Sequence, residues 1–273
     1  MRVRFVAALL LCVPTTAGAA VAVNDDSRLW TEGRIPYRIC EFTGELDEDG
    51  DPAVRGCDQG GRPLHPREAG LVRQAIQLWN GAFSRELRFV EADRLPIRMR
   101  GVLFERSKES TRCSTTRVGR PRLPRRTRVR IGSHCNPFAA PSTPVHSVSH
   151  EMMHVAGFYH EQQRPDRNRY VRVDEPGILG GLFDEGSSRQ WATWRGLRRL
   201  RAVGSYDFKS LMHYPVANPD RVTLTDAGVR RLSEQRIDRD RPGRRDGFSQ
   251  GDAAAIRLLY WPAARGRVEF AAR

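Results

Sequence analysis

The sequence predicts a single α+β domain in two lobes with a cleft between them. The chain has 273 residues, enough for one large domain or two small ones, and no period of about 20 to 50 residues repeats. Strand-like alternation and a helical period come early, whereas the second half reads mostly as loop and closes on a helix. Hydrophobic residues make up 39% and charged residues 29%, which allows a real core and excludes a disordered or collagen-like chain.

The first segment is expected to be removed. Arg2 and Arg4 give a positive start, Phe5 to Val13 is apolar, and Thr15 to Ala20 is small and weakly polar. That is the pattern of a secretory signal peptide over 1–20, with cleavage after Ala19 or Ala20. Cys12 sits inside the apolar run, and the bulky Leu11 before it argues against a lipid-anchored Cys. A folded domain is expected over 21–264, followed by a tail over 265–273.

Within that domain, residues 34–40 alternate like a strand, and 41–63 are acidic and rich in Gly and Pro, as in a long turn. From Pro66 to Asn80, Leu71, Val72, Ala75, Ile76, Leu78 and Trp79 fall at helical spacing, with a Pro in the first turn. Residues 86–90, 96–104 and 128–131 read as strands, and Val145 to Ala156 as a helix stopped by Gly157. From Pro165 to Ser205 the text is loop-like, with a basic amphipathic stretch from Trp191 to Leu200. The last helix, Gln250 to Tyr260, starts beside Ser249 as cap and stops before Pro262.

Charge and cysteine usage narrow the class. The formal net charge is +14, and +12 once residues 1–20, with two Arg and no acid, are removed. Lys108 and Lys209 are the only lysines, and the densest basic run lies between Arg117 and Arg130. The arginines are otherwise spread along the whole chain, so no nucleic-acid partner is expected. No apolar run reaches the roughly 18 residues that a membrane span needs, so an integral membrane protein is not expected. Cys40, Cys57, Cys113 and Cys135 remain after cleavage, an even count that reads as two disulfides in an exported chain. Proximity favours Cys40–Cys57 and Cys113–Cys135 among the possible pairings, each contributing roughly 3 kcal/mol. The acidic run Asp47 to Asp51 carries its Gly at the wrong position for an EF-hand loop and reads as a solvated turn.

The chemistry is concentrated in His150-Glu151-Met152-Met153-His154. On a helix, positions i and i+4 share a face one turn apart, so both imidazoles reach one metal ion. Imidazole nitrogens suit Zn²⁺ at about 2.0–2.1 Å. Glu151 follows the first His and can reach a water held at that ion. The pattern continues through Gly157, which can adopt a left-handed conformation, end the helix and turn the chain sharply. That turn returns His160 as a third ligand. Three His ligands leave the fourth position to water, the arrangement of a catalytic site rather than a closed structural one. Downstream, Ser210-Leu211-Met212-His213-Tyr214 supplies the Met-turn that accompanies the long HExxHxxGxxH motif in metzincins.

On these residues the chain resembles the astacin family of zinc metalloendopeptidases, within the metzincin clan. Glu161 follows the third His as it does in astacins. The run from His160 to Arg167 and on to Tyr170-Val171, the Tyr206-Asp207-Phe208 before the Met-turn, the Trp30 to Tyr37 segment and the Ser249 to Tyr260 helix are also similar to the family's. The likeness spans about residues 21–261. It implies a zincin-like single domain: an N-terminal lobe with a twisted mixed sheet and the active-site helix, and a mostly irregular C-terminal lobe with the Met-turn and a closing helix.

Residue by residue, the resemblance implies that His150, His154 and His160 bind one Zn²⁺ per chain and that Glu151 is the general base. Tyr214 becomes a further, switchable ligand that also stabilises the oxyanion. Met212 forms an apolar floor, and Glu161 meets the buried amino terminus of the mature enzyme. The family gives His213 no ligand role. Cys113–Cys135 matches a family bridge, and Cys40–Cys57 is an extra, local one. Another bridge common in the family is missing, since Glu86 stands where its first Cys would be and no Cys follows Cys135. Asp25 and Asp26 are the candidates for the prosegment Asp that caps zinc in the family.

The expectation is therefore a secreted monomeric zinc metalloendopeptidase, extracellular or periplasmic, that hydrolyses an extended protein or peptide substrate in the cleft. The alternative is a zinc-holding, non-catalytic binding protein that uses its Arg-rich surface. The presence of every reacting residue favours the enzyme.

Overall fold

The computed structural model describes residues 19–57, 60–108, 112–133, 135, 144–173, 200–214, 222–238 and 247–260. Its main sheet has five strands in the order β5-β2-β6-β8-β7, formed by β2 (Arg34–Ile39), β5 (Arg88–Glu91), β6 (Gly101–Arg106), β7 (Ser114–Thr115) and β8 (Arg126–Ile131). Pairings β2 with β5, β2 with β6 and β6 with β8 are parallel, and only β7 runs antiparallel, so the sheet is mixed as the family resemblance implies. Parallel strands need both faces covered, and β6 is accordingly buried at every residue but its last.

Helix α1 (Pro66–Phe83) supplies much of that cover. Pro66 occupies its first turn, where a missing N–H costs nothing, and the Glu68 carboxylate accepts the His65 N–H at 2.9 Å. Val72, Ala75, Ile76, Trp79 and Phe83 form the buried stripe, while Leu78, included in the apolar periodicity, is 48% exposed. Trp79 lies edge-on to Phe83, Phe89 and Phe248 and donates its indole N–H to Leu87 O at 2.7 Å. Helix α2 (Pro144–Val155) packs against α1 and buries Val148, Met152 and Val155 in the same core.

Several boundaries differ from expectation. Residues 41–63, read as a turn, contain a hairpin of β3 (Glu41–Leu46) and β4 (Pro52–Arg55), closed by a tip in which Asp47 accepts the Asp49 and Asp51 N–H groups. Its side chains are largely solvated, so the chain shows no buried alternation there to read. Cys40–Cys57 ties its base, and Cys113–Cys135 is also bonded. The expected strand over 96–104 starts only at Gly101, because the Met99 N–H turns back onto Pro96 O. Helix α3 (Asp226–Glu234), capped by the Thr225 hydroxyl on Gly228 N–H, is not among the expected elements.

A second, antiparallel sheet sets β1 (Ala19–Val23) between β11 (Leu200–Gly204) and β9 (Phe158–Tyr159). The expected signal segment overlaps β1 at Ala19 and Ala20. The Trp191 to Leu200 stretch lies, up to residue 199, outside the described residues. Strands β10 (Val171–Val173) and β12 (Val222–Leu224) pair near a small separate core of Val171, Tyr206, Phe208, Val222 and Leu232. Helix α4 (Gln250–Tyr260) is the last of the described elements and returns Ile256, Leu259 and Tyr260 to the main core. Among the described residues no helix is long and apolar enough to cross a membrane.

Candidate metal centre and active site

Helix α2 presents His150 and His154 one turn apart, and both are buried. The His150 Nδ1 lies 2.8 Å from Leu211 O, and the His154 Nδ1 lies 2.8 Å from Phe158 O. A carbonyl oxygen can only accept, so each Nδ1 carries the proton and each Nε2 presents its lone pair.

The chain leaves the helix at Gly157, which has φ of +102° as its predicted left-handed turn requires. Remote groups secure this helix end. His154 O accepts from Gly119 N–H at 2.8 Å, Val155 O from the Trp30 indole at 2.9 Å and Ala156 O from the Tyr260 hydroxyl at 2.6 Å. Carbonyls that a helix C-terminus leaves without partners are thereby satisfied. Strand β9 then pairs with β1 and carries the chain to His160. His160 Nε2 lies 3.1 Å from both His150 Nε2 and His154 Nε2.

The three buried histidines form the cluster that can hold a metal ion. Three Nε2 atoms so close together, two of them presenting lone pairs, gain most from a shared cation. Ligands about 2.0–2.1 Å from a tetrahedral Zn²⁺ sit about 3.3 Å apart, close to the spacing seen. The donor set therefore fits zinc. Glu151, on the same helix, is buried.

The Met-turn lies against this cluster. Its Leu211 carbonyl receives His150, its Met212 carbonyl accepts Glu161 N–H at 3.0 Å, and Met212 is fully buried. The Tyr214 ring packs on His160 with centroids 4.4 Å apart, and its N–H is held by Gln162 Oε1 at 3.0 Å. His213 turns away, with Nδ1 2.6 Å from Tyr214 O and Nε2 2.8 Å from the Tyr206 hydroxyl, which fits its structural reading. Asp25, a candidate zinc cap, instead caps a short 3-10 turn and pairs with Arg122 at 2.5 Å.

Glu161 is fully buried. Its Oε1 accepts Asp207 N–H at 3.0 Å and lies 3.4 Å from Arg164 Nη1, and its Oε2 has no partner among the described residues. Burial pushes its carboxyl up to about 8 despite Arg164. Arg164 commits its closest contacts elsewhere, with Asp166 at 2.8 and 2.9 Å and Gly204 O at 2.8 Å. The same guanidinium reaches the Ala20 carbonyl of β1 at 3.2 Å. Gly119, Trp30, Gln162, Gln163 and Tyr260, which support the site, carry no local signal that names the role. The sequence marks Ser249 as the cap of the last helix, and the structure adds Asp252 as its partner in a capping box beside the Met-turn.

A mixed sheet over two helices, a helix-borne His pair, a returning third His and a Met-turn beneath them define an α+β metzincin zinc peptidase. The model of the Astacin peptidase family matches residues 63–261, and the chain belongs to the astacin family. Members of that family are zinc metalloendopeptidases. Nematocyst expressed protein 6 of Nematostella vectensis is 30% identical over 247 residues, covering 89% of this chain and 69% of its own length. A bone morphogenetic protein 1 homolog of Strongylocentrotus purpuratus is 33% identical over 48% of this chain, which spans only 19% of that longer relative. In fold the chain is similar to high choriolytic enzyme 1, a hatching enzyme zinc-protease of Oryzias latipes, with TM-score 0.55, 21% identity and coverage of 86% of this chain and 96% of that one. It is also similar to myroilysin, with TM-score 0.53, 17% identity and coverage of 88% and 98%.

Proposed function

We propose that this chain is a secreted, monomeric endopeptidase that hydrolyses peptide bonds of protein substrates with one Zn²⁺ and with Glu151 as general base. The observation that carries this reading is the convergence of three imidazole Nε2 atoms, with His160 3.1 Å from each of the other two, beside Glu151 on the helix of the first pair. Bound there, zinc supplies Lewis acidity, lowering the pKa of a water towards about 7 and polarising a carbonyl. The chain's own residues do the remaining work. His150 and His154 keep their protons on Nδ1, where Leu211 O and Phe158 O hold them, so that Nε2 stays a donor of its lone pair. The Glu151 carboxylate takes the proton of the attacking water and later delivers it to the departing amine nitrogen. Tyr214 is a switchable ligand whose phenol then donates to the developing oxyanion, with its backbone anchored on Gln162. Met212 is the apolar floor beneath the three histidines.

Glu161 is the acceptor of the mature amino terminus. Cleavage after Ala19 or Ala20 frees an α-amino group on β1, and the Ala20 carbonyl marks that point of the strand as sharing Arg164 with Glu161 before cleavage. The Oε2 of Glu161, without a partner among the described residues, suits an incoming ammonium.

The test is digestion of casein by exported, processed protein. Activity stops with a chelator and returns with zinc. Glu151→Ala lowers kcat by about 10²–10⁴-fold while zinc stays bound. Full activity in Glu151→Ala would refute the base assignment. A wild-type protein that holds zinc but cuts neither casein nor a proteome-derived peptide library is a binding protein instead.

A further inference from the structure

We propose that Asp252 is a positioning residue for the metal centre, acting on His150 through the backbone of the Met-turn. The inference rests on the reading of His150 as a zinc ligand. Asp252 lies in the first turn of α4, fully buried, far from the zinc motif in sequence. Its Oδ2 accepts Leu211 N–H at 2.8 Å, and its Oδ1 accepts the Ser210 hydroxyl at 2.7 Å. Ser210 Oγ in turn accepts Met212 N–H at 3.0 Å. The Met212 N–H belongs to the same peptide unit as the Leu211 carbonyl, and that carbonyl receives His150 Nδ1 at 2.8 Å.

The donors therefore all point one way. The imidazole N–H donates to a peptide carbonyl, that peptide's N–H donates to a hydroxyl, and the hydroxyl donates to a buried carboxylate. Each link polarises the next, and in a water-free interior such a chain strengthens every member. Metal-bound imidazoles commonly donate their other N–H to a carboxylate or a carbonyl, which fixes the ring and raises its basicity. Here a carbonyl stands in direct contact and a carboxylate stands behind it. Asp252 also grips the preceding peptide through Leu211 N–H, so both peptide planes flanking Leu211 are held.

A bland account exists, in which Asp252 merely caps α4. It does take part in a capping box, accepting Ser249 N–H at 3.0 Å while Ser249 Oγ accepts Asp252 N–H at 2.9 Å. That role needs only Ser249. It explains neither the two bonds to the Met-turn nor the full burial of a carboxylate, which is costly unless its oxygens are satisfied. Ser249→Ala and Ser210→Ala separate the accounts, because the first removes the cap and the second removes the relay.

The experiment uses the full chain, exported and zinc-loaded, as wild type, Ser249→Ala, Ser210→Ala, Asp252→Asn and Asp252→Ala. Zinc affinity is measured by chelator competition, ligand geometry by the visible absorption of the Co²⁺-substituted proteins, and kcat and KM on a peptide. Ser210→Ala and Asp252→Ala are expected to weaken zinc by about 10-fold or more, shift the Co²⁺ bands and lower kcat with KM nearly unchanged. Asp252→Asn keeps an oxygen for Leu211 N–H but loses the charge, and falls between those variants and wild type. Ser249→Ala keeps wild-type affinity and Co²⁺ bands while its urea midpoint falls, as for a lost helix cap. Equal weakening in Ser249→Ala and Ser210→Ala, or unchanged zinc affinity and spectra in both Ser210→Ala and Asp252→Asn, overturns the proposal. If Asp252→Ala does not fold, Ser210→Ala and Asp252→Asn still decide. A wild type that binds no zinc would instead overturn the reading of the three histidines.

Discussion

Between α1 and the five-stranded sheet the buried side chains include Val72, Ile76, Trp79, Phe83, Phe89 and Phe104, whereas behind the Met-turn they include the polar Glu161, Arg164, Asp207, Ser210 and Asp252 beside Tyr206 and Phe208. Both regions touch the elements that carry the histidines. The first is held by burial of apolar area, which is non-directional and proportional to the surface removed from water. It sets where α2 lies but does not choose the angle of an imidazole. The second is held by hydrogen bonds with narrow geometry, from Glu161 through Asp207 and Ser249 to Asp252 and the Met-turn. Buried charges there cost free energy unless paired, so that region adds orientation more than stability. The metal centre stands at the seam, with its position supplied by one material and its orientation by the other.

Three measurements break or sharpen that contrast. The largest effect is expected in the apolar region. Trp79→Ala empties the centre of the aromatic cluster and strands the Leu87 carbonyl, and should cost about 3–5 kcal/mol in urea unfolding. Its folded fraction should still bind zinc with wild-type affinity, and a specific loss of zinc would show that the two regions are not separable.

A smaller effect is expected from titration behind the Met-turn. Burial, with Asp207 nearby, pushes the Asp252 carboxyl up to about 7. Its unfolded counterpart releases its proton near about 3.9. Between those values the folded state holds the extra proton, so this group's contribution to stability falls as pH rises from about 4 through about 7 and is lost above it. Asp252→Asn does not titrate, so its stability relative to wild type should improve between about pH 5 and 8. A pH-independent difference in urea midpoints would mean that Asp252 is already ionised at the acid end of that range. The smallest effect belongs to the solvated hairpin. Leu46 is 70% exposed, and Leu46→Ser should change stability by no more than about 0.5 kcal/mol.

The elements most legible in the sequence were those whose pattern is local. The α1 stripe, strand β2, helix α2 up to Gly157 and helix α4 follow from spacing and caps, and the structure places them close to where they were expected. The β3–β4 hairpin was missed because its side chains face water on both sides and leave no alternation. Helix α3 was missed although Thr225-Asp226 is a sound start, because its few buried residues, Gly228 and Leu232, give little apolar period. Strand β1 was missed because its Ala and Val residues merge with the end of an apolar leader, and only pairing with β9 and β11 distinguishes them.

The sequence by itself determined the donor chemistry: two imidazoles one helical turn apart, a glycine able to turn the chain, a third imidazole after it and a Met-turn further on. Those properties are local, since side-chain identity and helical pitch are written residue by residue. Tertiary structure alone decided which atoms hold the rings and the helix end, namely Leu211 O, Phe158 O, Gly119 N–H, Trp30 and Tyr260. Most of these are backbone groups that every residue offers, so nothing in the amino-acid letters marks them until folding brings them within reach.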